Sequence, residues 1–456
     1  MEHSFMEKEE ILPLVVKMSL PMVISMLVNS LYNIVDSYFV AQISEQAISA
    51  LSLIFPLQNM IIAVGVGFGV GSNAVVAIHL GQKDEKGATN TAALSMILSV
   101  FNGIVLTVLL LGTMRSFLQS FTNDLMVIEA GIEYGTIVFL FTTIVSMSIN
   151  IEKLFQAVGK MRYAMMCMMI GCMTNIVLDP IFIFGFGFVP ALGIKGAAIA
   201  TGIGQTVGFL IYIYLYYRGK LGLTLRLTKD AFDFSIVKRI YAIGIPATLN
   251  ISLSSVMLTL LNGILASMSE TGVLILGVYY KLQTFIYMPA NGIIQGIRPL
   301  VGFNYGAKRF DRVQKIYHTS LLMIMAMMGA GMLISLLFPE FLMAQFTTNQ
   351  ATVMEGAKAM QLISFGFIVS SVSVTVSGCL EGVGKGMESF IVAMARFVVI
   401  MIPVAYVMSK IMGVNGVWCS FAITETLTAL LAYWLYLKNF VMGTNMDIEV
   451  ANVKSK

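Results

Sequence analysis

Long apolar stretches alternate with short polar connections along the whole chain, and they predict twelve membrane-spanning helices. Crossing a hydrocarbon core of about 30 Å takes roughly twenty apolar residues in a helix. Because backbone polar groups in lipid must be satisfied within each span, helices are expected, and the alternation typical of a membrane barrel is absent. The predicted spans are residues 13–39, 47–79, 91–112, 127–150, 161–184, 194–217, 240–265, 272–302, 317–338, 351–378, 387–410 and 414–437.

Composition supports a membrane protein, and the distribution of charge indicates its orientation. Hydrophobic residues make up 57% of the chain and charged residues 11%, whereas about a quarter of a soluble domain is charged. Most Lys and Arg residues lie in alternate connections, and the opposite connections hold only Arg115, Lys195 and Lys410, with Lys358 nearby. Because basic connections stay in the cytoplasm, both termini are expected there. Topology accounts for the basic residues, so no nucleic-acid partner is predicted.

The two halves of the chain are copies of one unit. Residues 21–83 align with residues 246–308 at a constant offset of 225, which pairs Pro21 with Pro246, Gly67 with Gly292 and Gly71 with Gly296. Gln156–Lys160 aligns with Glu381–Lys385 at the same offset. Six spans per copy is an even number, so the pseudo-twofold axis should run along the membrane normal. Two apolar copies of this kind are typical of transporters.

The repeat also predicts the domain organisation. We expect an N-terminal lobe at residues 1–217, a cytoplasmic linker at 218–239, a C-terminal lobe at 240–438 and a cytoplasmic tail at 439–456. Glu7, Glu9 and Glu10 precede a full-length first span, so no cleavable signal peptide is expected.

Two glycine-rich segments resemble nucleotide motifs but do not fit them. Gly65–Gly71 lies within a predicted span and lacks the strand that precedes a dinucleotide loop; helix packing through small residues is the better interpretation. Gly382–Gly386 lacks the first glycine and the Ser or Thr of a phosphate loop, so a turn is predicted there instead.

The histidine and cysteine residues form no catalytic or metal-binding pattern. The histidines His3, His79 and His318 are scattered, and the cysteines fall within predicted spans (Cys167, Cys172, Cys379 and Cys419). We therefore expect that the protein is not an enzyme and has no cofactor. An ion gradient is the expected energy source.

Few ionisable residues lie deep in the spans, and each is a functional candidate because charge is costly in lipid. Asn175 precedes Asp179 by one helical turn and should share its face. The repeat partners of Asp36 and Asp179 are Leu261 and Val404, so both carboxyl groups belong to one lobe. A buried carboxyl group can hold a proton near neutral pH, so this group suits H⁺ or Na⁺; a hydrogen-bonded packing pair is the alternative. The intramembrane ionisable residues are Asp36, Asp179, Lys281, Arg396 and Glu425.

Nearly the whole chain resembles the multidrug and toxic compound extrusion (MATE) family, most closely the bacterial branch with DinF-like and MepA-like exporters. The resemblance implies twelve helices in two six-helix lobes, arranged as a V around a central cavity. It also implies export of organic cations by antiport with H⁺ or Na⁺ across the cytoplasmic membrane, by a monomer. The segments that carry it surround Asp36, Gly81–Lys83, Gln156–Lys160, Asn175–Pro180 and Gly302–Lys308.

The resemblance also assigns roles to individual residues. Asp36, Asn175, Asp179 and Thr201 would form the cation site of the N-terminal lobe, with Tyr134 as a neighbour, and Pro21 would mark a bend in the first helix. Some branches carry a further carboxylate in the seventh or tenth helix, where this chain has only Glu270 and Glu355 near the outer ends. Glu425 could pair with Lys281 or Arg396, either as a structural ion pair or in transport. Candidate residues of the substrate cavity are Asn33, Gln58, Lys281, Gln283, Arg298 and Arg396.

Two other functions remain open at this point. A lipid-linked precursor flippase shares the superfamily architecture, but such proteins line the cavity with several basic residues, and only Lys281, Arg298 and Arg396 are candidates here. A membrane receptor or channel without coupled transport is disfavoured by the two-copy design.

Overall fold

The computed structural model describes residues 5–187, 189–225 and 233–442, and this part of the chain is helical almost throughout and contains no β-strand. The central part of the predicted linker, residues 226–232, and most of the predicted tail, residues 443–456, lie outside the described residues. The all-helical prediction is confirmed. The helices are α1 Phe5–Lys8, α2 Ile11–Ala41, α3 Glu45–Gly81, α4 Glu85–Phe121, α5 Leu125–Leu140, α6 Thr142–Ala157, α7 Met161–Phe184, α8 Ile194–Tyr217, α9 Phe234–Ala266, α10 Glu270–Gly306, α11 Phe310–Leu337, α12 Pro339–Ala344, α13 Gln350–Gly382, α14 Gly386–Met394, α15 Met401–Met412 and α16 Val414–Tyr436.

Within the described residues, ten spans are long and apolar enough to cross a membrane, α14 and α15 counting as one span. The α5–α6 pair makes an eleventh, bent by 47°. The fourth predicted span was expected to be one helix; it is divided at Phe141, whose ring lies against Gly202 of α8. Helix α10 occupies the position of the eighth predicted span as one continuous helix, but it contains several polar residues and is not among the ten. A further departure from regular helix follows α14, where Ala395–Val399 forms a π-helical turn.

The chain divides into two compact units, and both divisions fall inside helices. Unit 1 comprises residues 24–248, and unit 2 comprises residues 5–23 and 249–442 of the described chain. The divisions follow Pro21 in α2 and Pro246 in α9, where proline removes one backbone hydrogen bond of the helix. They differ from the predicted boundaries near residues 217 and 240, because the first part of α2 packs in unit 2 and the first part of α9 in unit 1.

Each unit is built around one deeply buried helix. In unit 1 the second half of α3 packs against α4, α6 and the first part of α9. In unit 2 α13 is enclosed by α10, α11 and α16. Close approach to a neighbouring helix explains the paired glycines of the repeat. A Cβ atom added at Gly67 would lie 2.6 Å from the backbone nitrogen of Thr248, and one added at Gly292 would lie 2.7 Å from that of Val23. The packing role predicted for Gly67 is thus confirmed.

The repeat is also visible in the turns between helices. Lys83 and Lys308 follow α3 and α10 with φ of 61° and 57°, although non-glycine residues seldom adopt positive φ. Gly159 and Gly384 follow α6 and α13 with φ of 80° and 86°. Gly382–Gly386 is therefore a turn between helices, as predicted, and not a phosphate-binding loop.

Candidate functional site

The close packing of α7 on α8 creates the first part of the candidate site. A Cβ atom added at Gly204 would lie 2.7 Å from the carbonyl oxygen of Gly171 and 3.0 Å from Cβ of Asn175. Only a glycine fits at such a distance between helices. The approach brings Thr201 of α8 to Asn175 of α7, whose Nδ2 donates to Thr201 Oγ1 at 3.3 Å.

Asn175 and Asp179 share one face of α7, as their spacing predicted. Asn175 Nδ2 donates to Asp179 Oδ1 at 3.2 Å, and both side chains are buried. Pro180 follows directly and lacks an N–H group, so the carbonyl of Ile176 loses its helical donor. The local sequence therefore gathers a carboxylate, a carboxamide and a free backbone carbonyl within about one helical turn.

Helix α2 contributes the second carboxyl group. Asp36 is buried and interacts electrostatically with Asp179 and with the hydroxyl of Tyr134 on α5. Tyr134 OH accepts a hydrogen bond from Gln58 Nε2 at 3.2 Å. Tyr32 lies one turn before Asp36 and interacts electrostatically with both carboxyl groups. Tyr32 was not predicted, although its four-residue spacing from Asp36 was a usable signal.

Unit 1 thus brings together the five residues predicted for the cation site, and several of their oxygens lack hydrogen-bond partners. Asp36 Oδ1, Asn175 Oδ1 and Asp179 Oδ2 are buried and have no hydrogen-bond partner in the described part of the chain. Such atoms are usually paired, and all three can only accept hydrogen bonds when the carboxyl groups are ionised. The arrangement suits a proton or a hard monovalent cation. No set of three His, Cys, Asp or Glu residues suitable for a metal ion occurs among the described residues.

Two other predicted residues of unit 1 lie apart from this cluster or at its edge. Asn33 is exposed, and its side chain donates to the carbonyl of Asn29 on the same helix. Gln58 is partly buried and joins the cluster only through Tyr134. The bend proposed at Pro21 stays a prediction, because α2 continues through this residue without interruption.

In unit 2 the structure pairs Glu425 with Arg396 and not with Lys281. Arg396 Nη2 and Nε lie 2.7 and 2.9 Å from Glu425 Oε1, and Nη2 also donates to Tyr287 OH at 3.2 Å. Lys281 is exposed and forms no ion pair within the residues that the structure describes. Gln283 lines a small cavity beside Arg396 and Glu425.

A second ion pair in unit 2 involves a residue that was not predicted. Arg298 Nη2 lies 2.6 Å from Glu381 Oε2, and Glu381 Oε1 accepts hydrogen bonds from Asn250 Nδ2 at 3.2 Å and Ser389 Oγ at 3.1 Å. Glu381 aligns with Gln156 in the other copy, so the change from a neutral to an acidic residue at a repeated position was the available signal.

Membrane-length helices, an internal repeat and buried charged groups define a multi-span membrane protein. The sequence model of the MatE family matches residues 21–181 and 246–407, once in each copy. The chain therefore belongs to the MatE family of membrane transporters, which confirms the predicted family and the prediction that it is not an enzyme.

Relatives and solved structures agree with this assignment over almost the full chain. The multidrug export protein MepA of Staphylococcus haemolyticus is 26% identical over 432 residues, which is 94% of each chain. MepA of Staphylococcus aureus strain MRSA252 is 26% identical over 435 residues, again 94% of each chain. A multidrug resistance MATE family transporter solved in an outward-facing conformation is 25% identical, with a TM-score of 0.89 and coverage of 99% of this chain and 98% of that one. A MOP superfamily transporter from Pyrococcus furiosus, described as having a pocket of reversed polarity, has the same identity and TM-score with coverage of 96% and 98%.

Proposed function

We propose that this chain is a cation-coupled multidrug exporter that moves small organic, mainly cationic, compounds out of the cell by alternating access. The observation that carries the proposal is the buried cluster of unit 1. Two carboxyl groups, a carboxamide and two hydroxyl groups converge from four helices, and three of their oxygens lack a partner within the described chain. The names of the MepA relatives support multidrug compounds as the substrates.

Asp36 and Asp179 are proposed to take up the coupling ion, H⁺ or Na⁺, with Asn175, Thr201 and Tyr134 as neighbouring ligands or hydrogen-bond partners. Two buried carboxylates that interact electrostatically repel each other, so neutralising charge should favour any arrangement that brings them closer. The ion can shift the balance between two conformations only by its different affinity for each. Drug must then weaken ion binding by the same factor as the ion weakens drug binding.

The protein is proposed to act as a monomer in the cytoplasmic membrane with both termini in the cytoplasm. The asymmetry of basic residues between alternate connections supports this orientation. In this topology Lys160 and Lys308 face the cytoplasm, and Arg115 and Lys195 face outward. Drug would be released on the side where the coupling ion enters.

Reconstitution with one imposed gradient at a time tests this function. Liposomes of purified protein are prepared with a fluorescent organic cation such as ethidium at equal concentration inside and outside, and either a proton or a sodium gradient is applied. We expect one gradient to drive ethidium against its own concentration difference, and an ionophore that collapses that gradient to abolish the flux. Movement that only equalises concentrations, under both gradients, would instead identify an uncoupled pathway and contradict the proposal.

A further inference from the structure

A cavity of about 180 Å³ inside unit 2 contains two arginines. Arg298 reaches it from α10 and Arg396 from the π-helical turn after α14, and Glu381 of α13 also contributes to the lining. Ile294, Val392 and Phe397 form an apolar part of the wall. The lining therefore carries two guanidinium groups and one carboxylate beside an apolar surface.

Both guanidinium groups retain donors that the protein does not use. Arg298 forms an ion pair with Glu381 through Nη2, and its buried Nε has no hydrogen-bond partner among the described residues. Arg396 directs Nε and Nη2 to a single oxygen of Glu425, and Nη1 forms no hydrogen bond with the described residues. An arginine has five N–H donors in a planar fork that matches a carboxylate or phosphate group. An ion pair with Glu alone would not require these donors to border a cavity.

The fold shared by the two copies does not require these charges. At the offset of 225, Arg298 aligns with Asn73 and Arg396 with Gly171. In unit 1, Asn73 is uncharged, and its Nδ2 donates a hydrogen bond to the carbonyl of Lys153 at 2.9 Å. Because buried charges are costly in a membrane, two arginines at positions that the other copy fills with neutral residues point to a ligand.

The backbone at Arg396 is irregular in the same place. Residues Ala395–Val399 form a π-helical turn within an otherwise α-helical span. Such turns insert an extra residue into the helix and occur frequently at functional sites. The guanidinium also makes cation–π contacts with Tyr287 and Phe397, with 5.4 Å from Cζ to each ring centroid. These contacts and the ion pair with Glu425 hold Arg396 beside the cavity.

We propose that this cavity binds the oxyanion of a small monoanion with an apolar body, of which an aromatic carboxylate is the simplest example, between Arg298 and Arg396. Arg298 is paired with Glu381 and Arg396 with Glu425, so the four groups together carry no net charge, and the anion would be held by the unused guanidinium donors and not by an excess of positive charge. The site lies wholly in unit 2, and no residue of the acidic cluster of unit 1 contributes to its lining. A lipid headgroup phosphate has the same recognition chemistry and is the other source of an oxyanion.

The test measures benzoate binding to the full chain in nanodiscs of phosphatidylcholine by titration calorimetry, with benzyl alcohol as the neutral probe. The variants are Arg298→Gln/Glu381→Gln and Arg396→Gln/Glu425→Gln, in which no buried carboxylate is left unpaired. Lys358→Gln is the matched control, because it removes a positive charge from an exposed position of the same unit. Circular dichroism and size-exclusion chromatography check that each variant is folded.

We expect benzoate to bind the wild type and Lys358→Gln equally, and both double variants about tenfold or more weakly, the scale of a lost hydrogen bond to a charged group. Competition between benzoate and added phosphatidylglycerol would show that lipid phosphate also occupies the site; no competition would identify the free carboxylate as its ligand. Absence of benzoate binding to the wild type, or full binding by the folded double variants, would overturn the proposal.

A second measurement tests whether benzoate occupies the cavity if the double variants do not fold. Ser377 lines the cavity on α13, so Ser377→Cys in a Cys419→Ala background supplies a thiol to be alkylated by N-ethylmaleimide. Benzoate should slow this alkylation and benzyl alcohol should not; equal rates would contradict the site. Asp36→Asn/Asp179→Asn should bind benzoate normally, so failure of the coupling proposal is distinguishable from failure of this one.

Discussion

The contact between α10 and the first part of α2 gives a sharp test of the packing that forms unit 2. Gly292→Ala places a Cβ atom 2.7 Å from both the nitrogen and Cα of Val23, and backbone atoms cannot move aside independently. Gly277→Ala, on the same helix, places its Cβ in open space with no neighbour within 4 Å. Both substitutions gain about 1 kcal/mol of helix propensity, so the difference between the two variants isolates the steric cost. Overpacking of this kind costs about 1–3 kcal/mol.

Thermal unfolding in mild detergent, followed by tryptophan fluorescence and by loss of the monodisperse size-exclusion peak, compares the two variants. We expect Gly277→Ala to unfold at or above the wild-type temperature and Gly292→Ala to unfold several degrees lower. Gly67→Ala should behave like Gly292→Ala, because its Cβ would meet the backbone of Thr248 in unit 1. Equal stability of Gly292→Ala and Gly277→Ala would refute the close contact and with it the placement of residues 5–23 in unit 2.

Three further predictions concern charge. Arg396→Gln should lower the free energy of unfolding by about 3–5 kcal/mol, because Glu425 is left buried and unpaired. Arg396→Gln/Glu425→Gln should recover most of this loss. Equal denaturant midpoints for the single and double variants would contradict the ion pair. Lys281→Met should change the free energy of unfolding by less than about 0.5 kcal/mol, because Lys281 is exposed. A changed drug profile in efflux assays would therefore reflect substrate recognition. A poorly folded variant would contradict the exposed position. A cysteine replacing Lys195 should react with an impermeant maleimide in intact cells, and one replacing Lys160 should not; the reverse pattern would overturn the topology.

Features that repeat along the chain could be predicted from the sequence. The constant offset of 225 indicates two copies of one unit. The backbone shows the same repeat, because Lys83 and Lys308 both have an unusual positive φ. Spacing within one helix was equally informative, since it placed Asn175 beside Asp179. Such inferences succeed because helical geometry alone decides which residues share a face.

Features that depend on contact between helices could not be predicted. The approach that brings Thr201 to Asn175 requires Gly171 to meet Gly204, a tertiary contact that no local pattern specifies. The family resemblance supplied Thr201 instead. The π-helical turn at Arg396 shifts the helical phase of the residues that follow, and a pattern based on 3.6 residues per turn does not detect an inserted residue.

Drug efflux by carboxamide variants tests the central claim, that the buried carboxyl groups of unit 1 couple ion entry to export. Asp36→Asn and Asp179→Asn preserve the shape of the side chain and need no counter-ion in lipid, so both should insert normally and still bind drug. In proteoliposomes with an imposed proton or sodium gradient, we expect their efflux to fall to the leak rate of protein-free liposomes. The control variants Leu261→Ile and Val404→Ile, at the repeat partners of the two carboxyl groups, should retain gradient-driven efflux. Full gradient-dependent efflux by both Asn variants would contradict the account.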